Sequence, residues 1–445
     1  MKKGVFISLA LAIAWVCVPQ NAFPDEMPEV TIATFVFPIG EPLTIASGDF
    51  NGDGIDELFI VTEINRPTLT LGPKGLTLVP NPKCEERLFI LPFRGNNFGE
   101  PSLVDVIPAH DQLMSPHKPI VSDLDGDGKL DVIMLLFLAR PSLETGFLED
   151  FRTRLLIYWG QGDCTFIRTE LPLALSYLPF PEFGLYNHVA VGDFNSDGLL
   201  DLAFLDSRNV RLQILYNLGN RTFSAPEYVS VGLEGEGCTP VPLVIRAQKD
   251  VIVVGGPCIY SENDFDFFLR MMRRSEQGDW EYSPLFLQKF RVKDFVNAIW
   301  DMEIVDVNVD GEMDVIFLGP PELADPSIPR IGAKYVGLYL VKGKQYEKIA
   351  QPEFVAWAVK GTFLFVETGV NRELVVVILP DFENRYDDLW VVSSSGWMTS
   401  SRSRGGRGLV VDGAVINRST TRELILLSSQ DFKSEITLVN VLRGW

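Results

Sequence analysis

The chain has 445 residues, 46% hydrophobic and 22% charged, and its 39 basic and 59 acidic side chains leave a formal charge of −20. That composition is globular, and the acidity argues against nucleic acid or an anionic membrane surface as a partner. Past residue 22 no run approaches the ~18 uninterrupted apolar residues of a spanning helix, so no membrane insertion is expected of the mature chain.

Residues 1–22, MKKGVFISLALAIAWVCVPQNA, have a basic start and a short apolar stretch, and read as a secretory signal cut near Ala22. Secretion, the periplasm or the cell surface is the expected destination. Cys17 leaves a lipoprotein alternative open, although AWVC lacks the Leu three places before and the small residue just before the cysteine. The mature chain, 23–445, is expected to be one domain, because the repeats described next run along all of it. Its first strand-like segment is TIATFVFPIGEP, residues 31–42.

GDFNGDGIDELFI follows, with oxygen side chains at Asp49, Asn51, Asp53 and Glu57 and a glycine at Gly54. Like charges at this density repel unless a cation sits among them. Alternating oxygen ligands in a tight loop converge on one centre, and a glycine in sixth place lets the backbone turn with positive φ. The seventh residue, Ile55, is then placed to offer its carbonyl. A single copy could be an ordinary acidic turn. The spacing recurs in SDLDGDGKLDVIML (Asp123, Asp125, Asp127, carbonyl of Lys129, Asp131) and in GDFNSDGLLDLAFL (Asp193, Asn195, Asp197, carbonyl of Leu199, Asp201). It occurs a fourth time in VDVNVDGEMDVIFL (Asp306, Asn308, Asp310, carbonyl of Glu312, Asp314). An all-oxygen set in a flexible loop selects Ca²⁺ over Mg²⁺, which demands a stricter octahedron. Four such ions would take the formal charge from −20 to −12. Extracellular modules of this kind bind calcium at ~10⁻⁴–10⁻³ M.

An acid followed by an apolar β-run also occurs without a metal loop, at Asp250, Glu373 and Glu423. With the four loops this gives seven anchors, at 57, 131, 201, 250, 314, 373 and 423. DDLWVVS near Asp388 competes with Glu373 for the sixth place. A second element keeps the same beat: an apolar strand, a glycine, then an aromatic. It is found at 87–98, 154–166, 211–223, 267–280, 335–346, 389–397 and 436–445, and reads as a third strand turning into a fourth. The expected fold is all-β, a seven-bladed β-propeller of four-stranded blades. The seventh copy stops at Trp445 without a fourth strand. The segment 31–42 is expected to supply it, closing the ring and removing the open edges.

Four cysteines follow the signal. Cys238, in the connection into the fourth unit, and Cys258, after that unit's second strand, fall on one face and can bond. Cys84 begins a third strand and Cys164 lies in the hairpin at the far end of one. A bond between them would have to span ~23 Å, which argues against it. His110 and His117, in HDQLMSPH, lack zinc-type spacing, and they and His188 read as solvated or capping residues. No nucleophile elbow, P-loop or dinucleotide fingerprint is present. The long connections 61–86 and 167–187, the second with Tyr177, Phe180, Phe183 and Tyr186, lie away from the metal loops. They either pack between blades or offer aromatics to a sugar or protein.

The four loops and the strands after them resemble the FG-GAP or VCBS repeats of integrin α-subunit propellers and of many exported bacterial proteins. The resemblance covers nearly the whole mature chain. It implies a loop from innermost to second strand that binds calcium on one face, with ligands met on the opposite face. Asp250, Glu373 and Glu423 depart from the pattern, since no ligand-bearing loop precedes them, and Glu57 stands where the other loops have Asp. The expected function is an exported, monomeric, calcium-binding module for adhesion, binding or scaffolding, with a protein or carbohydrate partner. The alternative is an extracellular polysaccharide lyase or hydrolase with structural calcium. Fold alone does not choose between them.

Overall fold

The apolar runs after each anchor are continuous rather than alternating, and the computed structural model shows why: these strands are covered on both faces. Along Asp131–Pro141, Val132, Met134 and Leu136 pack against the sheet before, and Ile133 and Leu135 against the sheet after. A strand buried on both sides has no polar face to write into its sequence. The structure describes residues 32–290 apart from short connecting segments, the longest being 176–188, and from residue 301 onward the strands alone. The signal segment, His117, His188 and the four aromatics of 167–187 lie outside the described residues.

All described elements are strands, and they pair antiparallel into seven sheets of four or more strands and three two-stranded ribbons. Sheet one runs Glu41–Gly48, Glu57–Ile64, Cys84–Leu91, Ser102–His110. In sheet two, Leu113–Pro116 and Ile120–Ser122 both pair with Asp131–Pro141, followed by Leu148–Gly160 and Phe166–Pro172. Sheet three is Val189–Gly192, Asp201–Asp206, Arg211–Leu215, Glu227–Ser230. In sheet four, Thr239–Pro240 and Val244–Gln248 pair with Val251–Ser261, then comes Asp264–Arg274, which carries Trp280–Tyr282 and Phe286–Phe290. Sheet five is Asp301–Val305, Asp314–Gly319, Gly337–Lys342, Gln345–Ala350. Sheet six is Gly361–Thr368, Asn371–Ile378, Asp387–Ser393, Met398–Ser403. Sheet seven is Leu409–Asn417, Arg422–Gln430, Lys433–Val439 and, from the other end of the chain, Ile32–Phe37.

Each anchor therefore opens or directly precedes a second strand, or stands within its first three residues. Asp387–Ser393 is the third strand of sheet six, which settles the competition in favour of Glu373. Two boundaries differ from the sequence reading. Phe98 and Phe223 do not open fourth strands; each sits in a two-stranded ribbon, and the fourth strands start at Ser102 and Glu227. The Glu41-Pro42 ending of segment 31–42 belongs to the next strand, Glu41–Gly48.

Among the described residues, apolar layers fill four of the spaces between consecutive sheets. Phe59, Val61, Leu88 and Ile90 meet Val132, Met134, Leu156 and Tyr158. Ile133, Leu155, Ile157 and Trp159 meet Leu202, Phe204 and Leu215. Ala203, Leu212 and Ile214 meet Ile245, Ile252, Val254 and Phe268. Ala414, Ile416, Ile425 and Leu427 of sheet seven meet Ile45, Leu58, Ile60 and Leu91 of sheet one. At ~1.5–3 kcal/mol per large side chain removed from water, these layers dominate the stability. First strands neighbour one another as well: Glu41–Gly48 touches both Ile120–Ser122 and Leu409–Asn417. Val244–Gln248 touches Val189–Gly192 and Asp301–Val305, and Gly361–Thr368 touches Asp301–Val305 and Leu409–Asn417. Cys238 and Cys258 are disulfide-bonded, and Cys84 and Cys164 stand outside any disulfide. Cys258 lies inside the second strand rather than after it. Among the described residues no helix is long and apolar enough to cross a membrane.

Candidate metal centres in the acidic loops

Three of the four acidic loops lie in described residues, and they fold alike. Each joins a first strand to a second. The first-position carboxylate folds over the loop: Asp49 Oδ2 accepts from Gly54 N–H at 2.8 Å, Asp123 Oδ2 from Gly128 N–H at 2.9 Å, and Asp193 Oδ2 from Gly198 N–H at 2.9 Å. The third-position oxygens of Asn51, Asp125 and Asn195 accept from the N–H two residues on, at 2.8, 3.2 and 3.1 Å. The fifth-position oxygens of Asp53, Asp127 and Asp197 do the same at 2.9, 2.9 and 2.8 Å. Such self-hydrogen-bonded turns hold the side chains inward before any ion arrives. The sixth-position glycines have φ of +84°, +82° and +87°, where a side chain would be strained.

The ninth-position acid is the deepest. Glu57, Asp131 and Asp201 are each 0% exposed. Asp131 accepts from Leu124 N–H at 2.9 Å and Gly160 N–H at 2.8 Å, and Asp201 from Phe194 N–H at 2.9 Å and Asn217 N–H at 2.8 Å. Glu57 accepts from Phe50 N–H at 2.9 Å and Asn51 Nδ2 at 2.7 Å. Burial pushes Asp131 and Asp201 up to about 6 and Glu57 up to about 7, and the neighbouring loop acids add to the rise despite those hydrogen bonds. Oxygens of Asp123, Asp125 and Asp131 lie within 4.8 Å of one another, a spacing that can hold a cation. A carboxylate has about four lone-pair directions, so an oxygen that accepts one N–H retains capacity for an ion.

Nitrogen donors stand among these acids where a metal ion's positive charge would sit. Asn51 Nδ2 bridges Asp53 and Glu57, and Asn195 Nδ2 reaches Asp197 at 2.8 Å. In the second loop, Arg221 from the turn of the ribbon Asn217–Gly219 and Thr222–Phe223 donates through Nε to Asp125 Oδ2 at 2.7 Å, and Lys129 Nζ lies 3.2 Å from Asp127. Slight burial works upward on Asp127, but Lys129 and Arg221 outweigh it and hold its carboxyl below the usual range.

The sequence reading missed the residue between the first and third ligands. Phe50, Leu124 and Phe194 are 2%, 1% and 0% exposed, and each N–H donates to the ninth-position acid of its own loop. They pin an otherwise exposed loop to the core. The signal was present as a lone apolar residue flanked by two ligands in DFN, DLD and DFN. The chain of the following unit then grips two of the pins: Cys164 N–H donates to Phe50 O at 3.2 Å and Asn217 Nδ2 to Leu124 O at 2.7 Å. Phe166 packs edge-on against Phe50 at 5.5 Å. Gly192, just before the third loop, approaches so closely that a Cβ there would lie 2.3 Å from Lys249 O. Asp306, Asn308, Asp310 and Glu312 lie outside the described residues, and Asp314 opens its strand.

Residues 123–204, which hold the second and third loops, match the model of the FG-GAP-like repeat. No curated protein matches the sequence. Solved structures resemble it distantly. A Trypanosoma rangeli sialidase is 8% identical with a TM-score of 0.42, over 92% of this chain and 59% of that one. An exotype rhamnogalacturonan lyase is 12% identical with a TM-score of 0.43, over 92% and 74%. AofleA from Arthrobotrys oligospora is 9% identical with a TM-score of 0.40, over 92% of each. The chain thus spans about three fifths of the sialidase it resembles.

Proposed function

We propose that this chain is an exported β-propeller whose acidic loops bind Ca²⁺ on one face and which serves as a binding, adhesion or scaffold module. The seven sheets are its blades, and the pairing of Ile32–Phe37 with Lys433–Val439 is its closure. The succession of apolar layers and neighbouring first strands supports that reading. The observation that carries the calcium reading is the buried acid at the end of each loop. Glu57, Asp131 and Asp201 are wholly buried beside other carboxylates. An ion at the loop centre would relieve that repulsion. Side-chain oxygens at positions one, three, five and nine and a carbonyl at seven would hold it, and the Asn51 and Asn195 amides would turn their oxygens inward.

The second reading is an extracellular carbohydrate-active enzyme, a lyase or hydrolase, with calcium structural. The sialidase and lyase named above sit with this reading rather than the first, although likenesses of that degree carry no argument about chemistry. One experiment separates the two. The purified protein is incubated with a polysaccharide panel, and retention on each polymer is measured alongside new reducing ends and unsaturated products. Retention without products is expected; products from any polymer would overturn the module reading in favour of the enzyme.

Calorimetry with and without chelator tests the calcium. Binding to the folded state adds RT ln(1 + [L]/Kd), roughly 1.4 kcal/mol per loop at tenfold saturation. The melting temperature should fall on chelation. An unchanged melt, with no calcium by elemental analysis, would reduce the loops to acidic turns.

A further inference from the structure

At the end of sheet one away from the acidic loop, strand Glu57–Ile64 runs out into a two-stranded ribbon, Thr68–Gly72 paired with Gly75–Val79, and Cys84–Leu91 brings the chain back. Asn65 Nδ2 donates to Lys83 O at 3.0 Å across the base of this ribbon, and both residues are exposed. Just inside the base, Glu63 pairs across the sheet with Glu86, and the two are 3% and 0% exposed. They leave the sheet on the side that packs against sheet two, where Val61, Leu88, Ile107, Leu136 and Leu156 form an apolar layer. Glu63 accepts from the Cys84 thiol at 3.3 Å, whereas both carboxyl oxygens of Glu86 lack a hydrogen-bond partner. The charges that face Glu86 do not complete it. Glu63, and Glu41 next in the same row, are themselves acids. Arg154 of sheet two acts on Glu86 from a distance, but its Nε and Nη2 donate to Glu170 at 2.8 and 2.6 Å. Arg168 and the Tyr158 hydroxyl both donate to Asp105, at 2.8 and 2.9 Å, and Arg152 is exposed.

A carboxylate in this place has given up its water and received no hydrogen bond in exchange, so the neutral acid is the form that fits. We propose that Glu86 is held as a neutral acid and works as a pH-sensitive latch at the base of the ribbon. With its proton in place, sheets one and two close over it. When the proton leaves to solvent, the new charge beside Glu63 draws the ends of Glu57–Ile64 and Cys84–Leu91 toward water, and the ribbon they carry loosens. Burial and the Glu63 charge push Glu86 up to about 8, and Arg154 offsets only part of that rise. In the unfolded chain the same group ionises in the ordinary carboxylate range near ~4. The stability it contributes is therefore full below that range and is lost as pH rises through about 8. The latch does not depend on calcium, since it lies at the other end of the sheet from Asp49–Glu57.

The test compares the full-length protein with Glu86→Gln, which keeps the shape and cannot ionise, at matched calcium. Denaturant unfolding is followed from about pH 5 to about pH 9. The unfolding constant of the unmodified protein, relative to that of the variant, should rise by up to about tenfold per pH unit, about a hundredfold or more in all, and level off past about 8. Beyond that point, amides around Asn65 and Cys84 should exchange with solvent several-fold faster in the unmodified protein than in Glu86→Gln, while those of sheet three exchange alike in both. A ratio of unfolding constants that stays flat across the range, or equal exchange at the ribbon base, overturns the latch. Carbon-13 NMR of the glutamate carboxyls in the unmodified protein needs no variant and decides even where Glu86→Gln folds poorly. One carboxyl titrating at about 8 is expected, and none above the range of Glu57 overturns the proposal.

Discussion

Sheets three and four make the same turn by different means. Val189–Gly192 reaches Asp201–Asp206 through a loop of eight residues that carries Asp193, Asn195 and Asp197. Val244–Gln248 reaches Val251–Ser261 through Lys249 and Asp250 alone, with Lys249 at φ +56°. The sheets on either side of these turns pair alike and share one apolar layer. The acidic loop is therefore not what makes the hairpin. It adds charge to a turn that two residues can complete, and it sinks its last acid into the core where Asp250 stays partly exposed. Sheet four has a covalent tie of its own, Cys238–Cys258, which joins Thr239–Pro240 to the second strand.

The sharpest way to break this comparison is to remove the equivalent acids. Asp201→Ala strips the acceptor from Phe194 N–H and Asn217 N–H, both buried. Leaving two buried donors unmet should cost about 3 kcal/mol or more. Asp250→Ala, at a partly exposed turn, should change stability by less than about 0.5 kcal/mol. Denaturant unfolding of the two variants measures the difference. Equal losses would mean that the two turns do the same structural work.

Much of this was legible in the sequence because ligand spacing and strand order are local. Four oxygens at fixed steps and an apolar run can be read without knowing the fold, and all seven anchors lead into second strands. The pins Phe50, Leu124 and Phe194 were missed because one apolar residue among acids has no periodicity to flag it. The cross-strand pair Glu63 and Glu86 escaped for another reason: residues on neighbouring strands share no spacing along the chain. The starts of fourth strands were misplaced where the aromatic after the glycine closes a ribbon of its own, as Phe98 does against Phe93 at 4.8 Å.

A smaller effect sharpens the comparison through pH. In chelated protein, burial has raised Asp131 and Asp201 to about 6 and Glu57 to about 7. A raised carboxyl stabilises the fold in its protonated form. That contribution is full below the ordinary carboxylate range near ~4 and is lost as pH rises through ~6–7. Chelated protein should therefore melt lower at pH 8 than at pH 5. With calcium the slope should flatten or reverse, because the ion needs the ionised acids. Parallel melting curves with and without calcium would detach the buried acids from the metal.

The smallest expected effect separates the acidic loops from one another. Arg221 donates to Asp125 at 2.7 Å, lies 3.8 Å from Asp127, and stands 5.1 Å from the Trp159 ring. Among the described residues, no lysine or arginine forms an ion pair with the ligand-position acids Asp49, Asp53 and Glu57 of the first loop or Asp193, Asp197 and Asp201 of the third. The second loop has four acids at its ligand positions, and the Arg221 guanidinium, from the neighbouring ribbon turn, offsets one of them. Arg221→Gln should then act with opposite signs in the two states. Without calcium, the loop loses a half-exposed ion pair and stability falls by about 0.5–1 kcal/mol. With calcium, Asp125 is released to the ion and a competing cation is gone, so affinity at that loop should rise about two- to fivefold by the same energy. Terbium, which can take calcium's place among oxygen ligands, makes the loop visible through sensitisation by the nearby Trp159. Titration of the two proteins should show the tighter curve for the variant. An unchanged or weaker curve would mean that Arg221 braces the loop for the ion rather than competing with it.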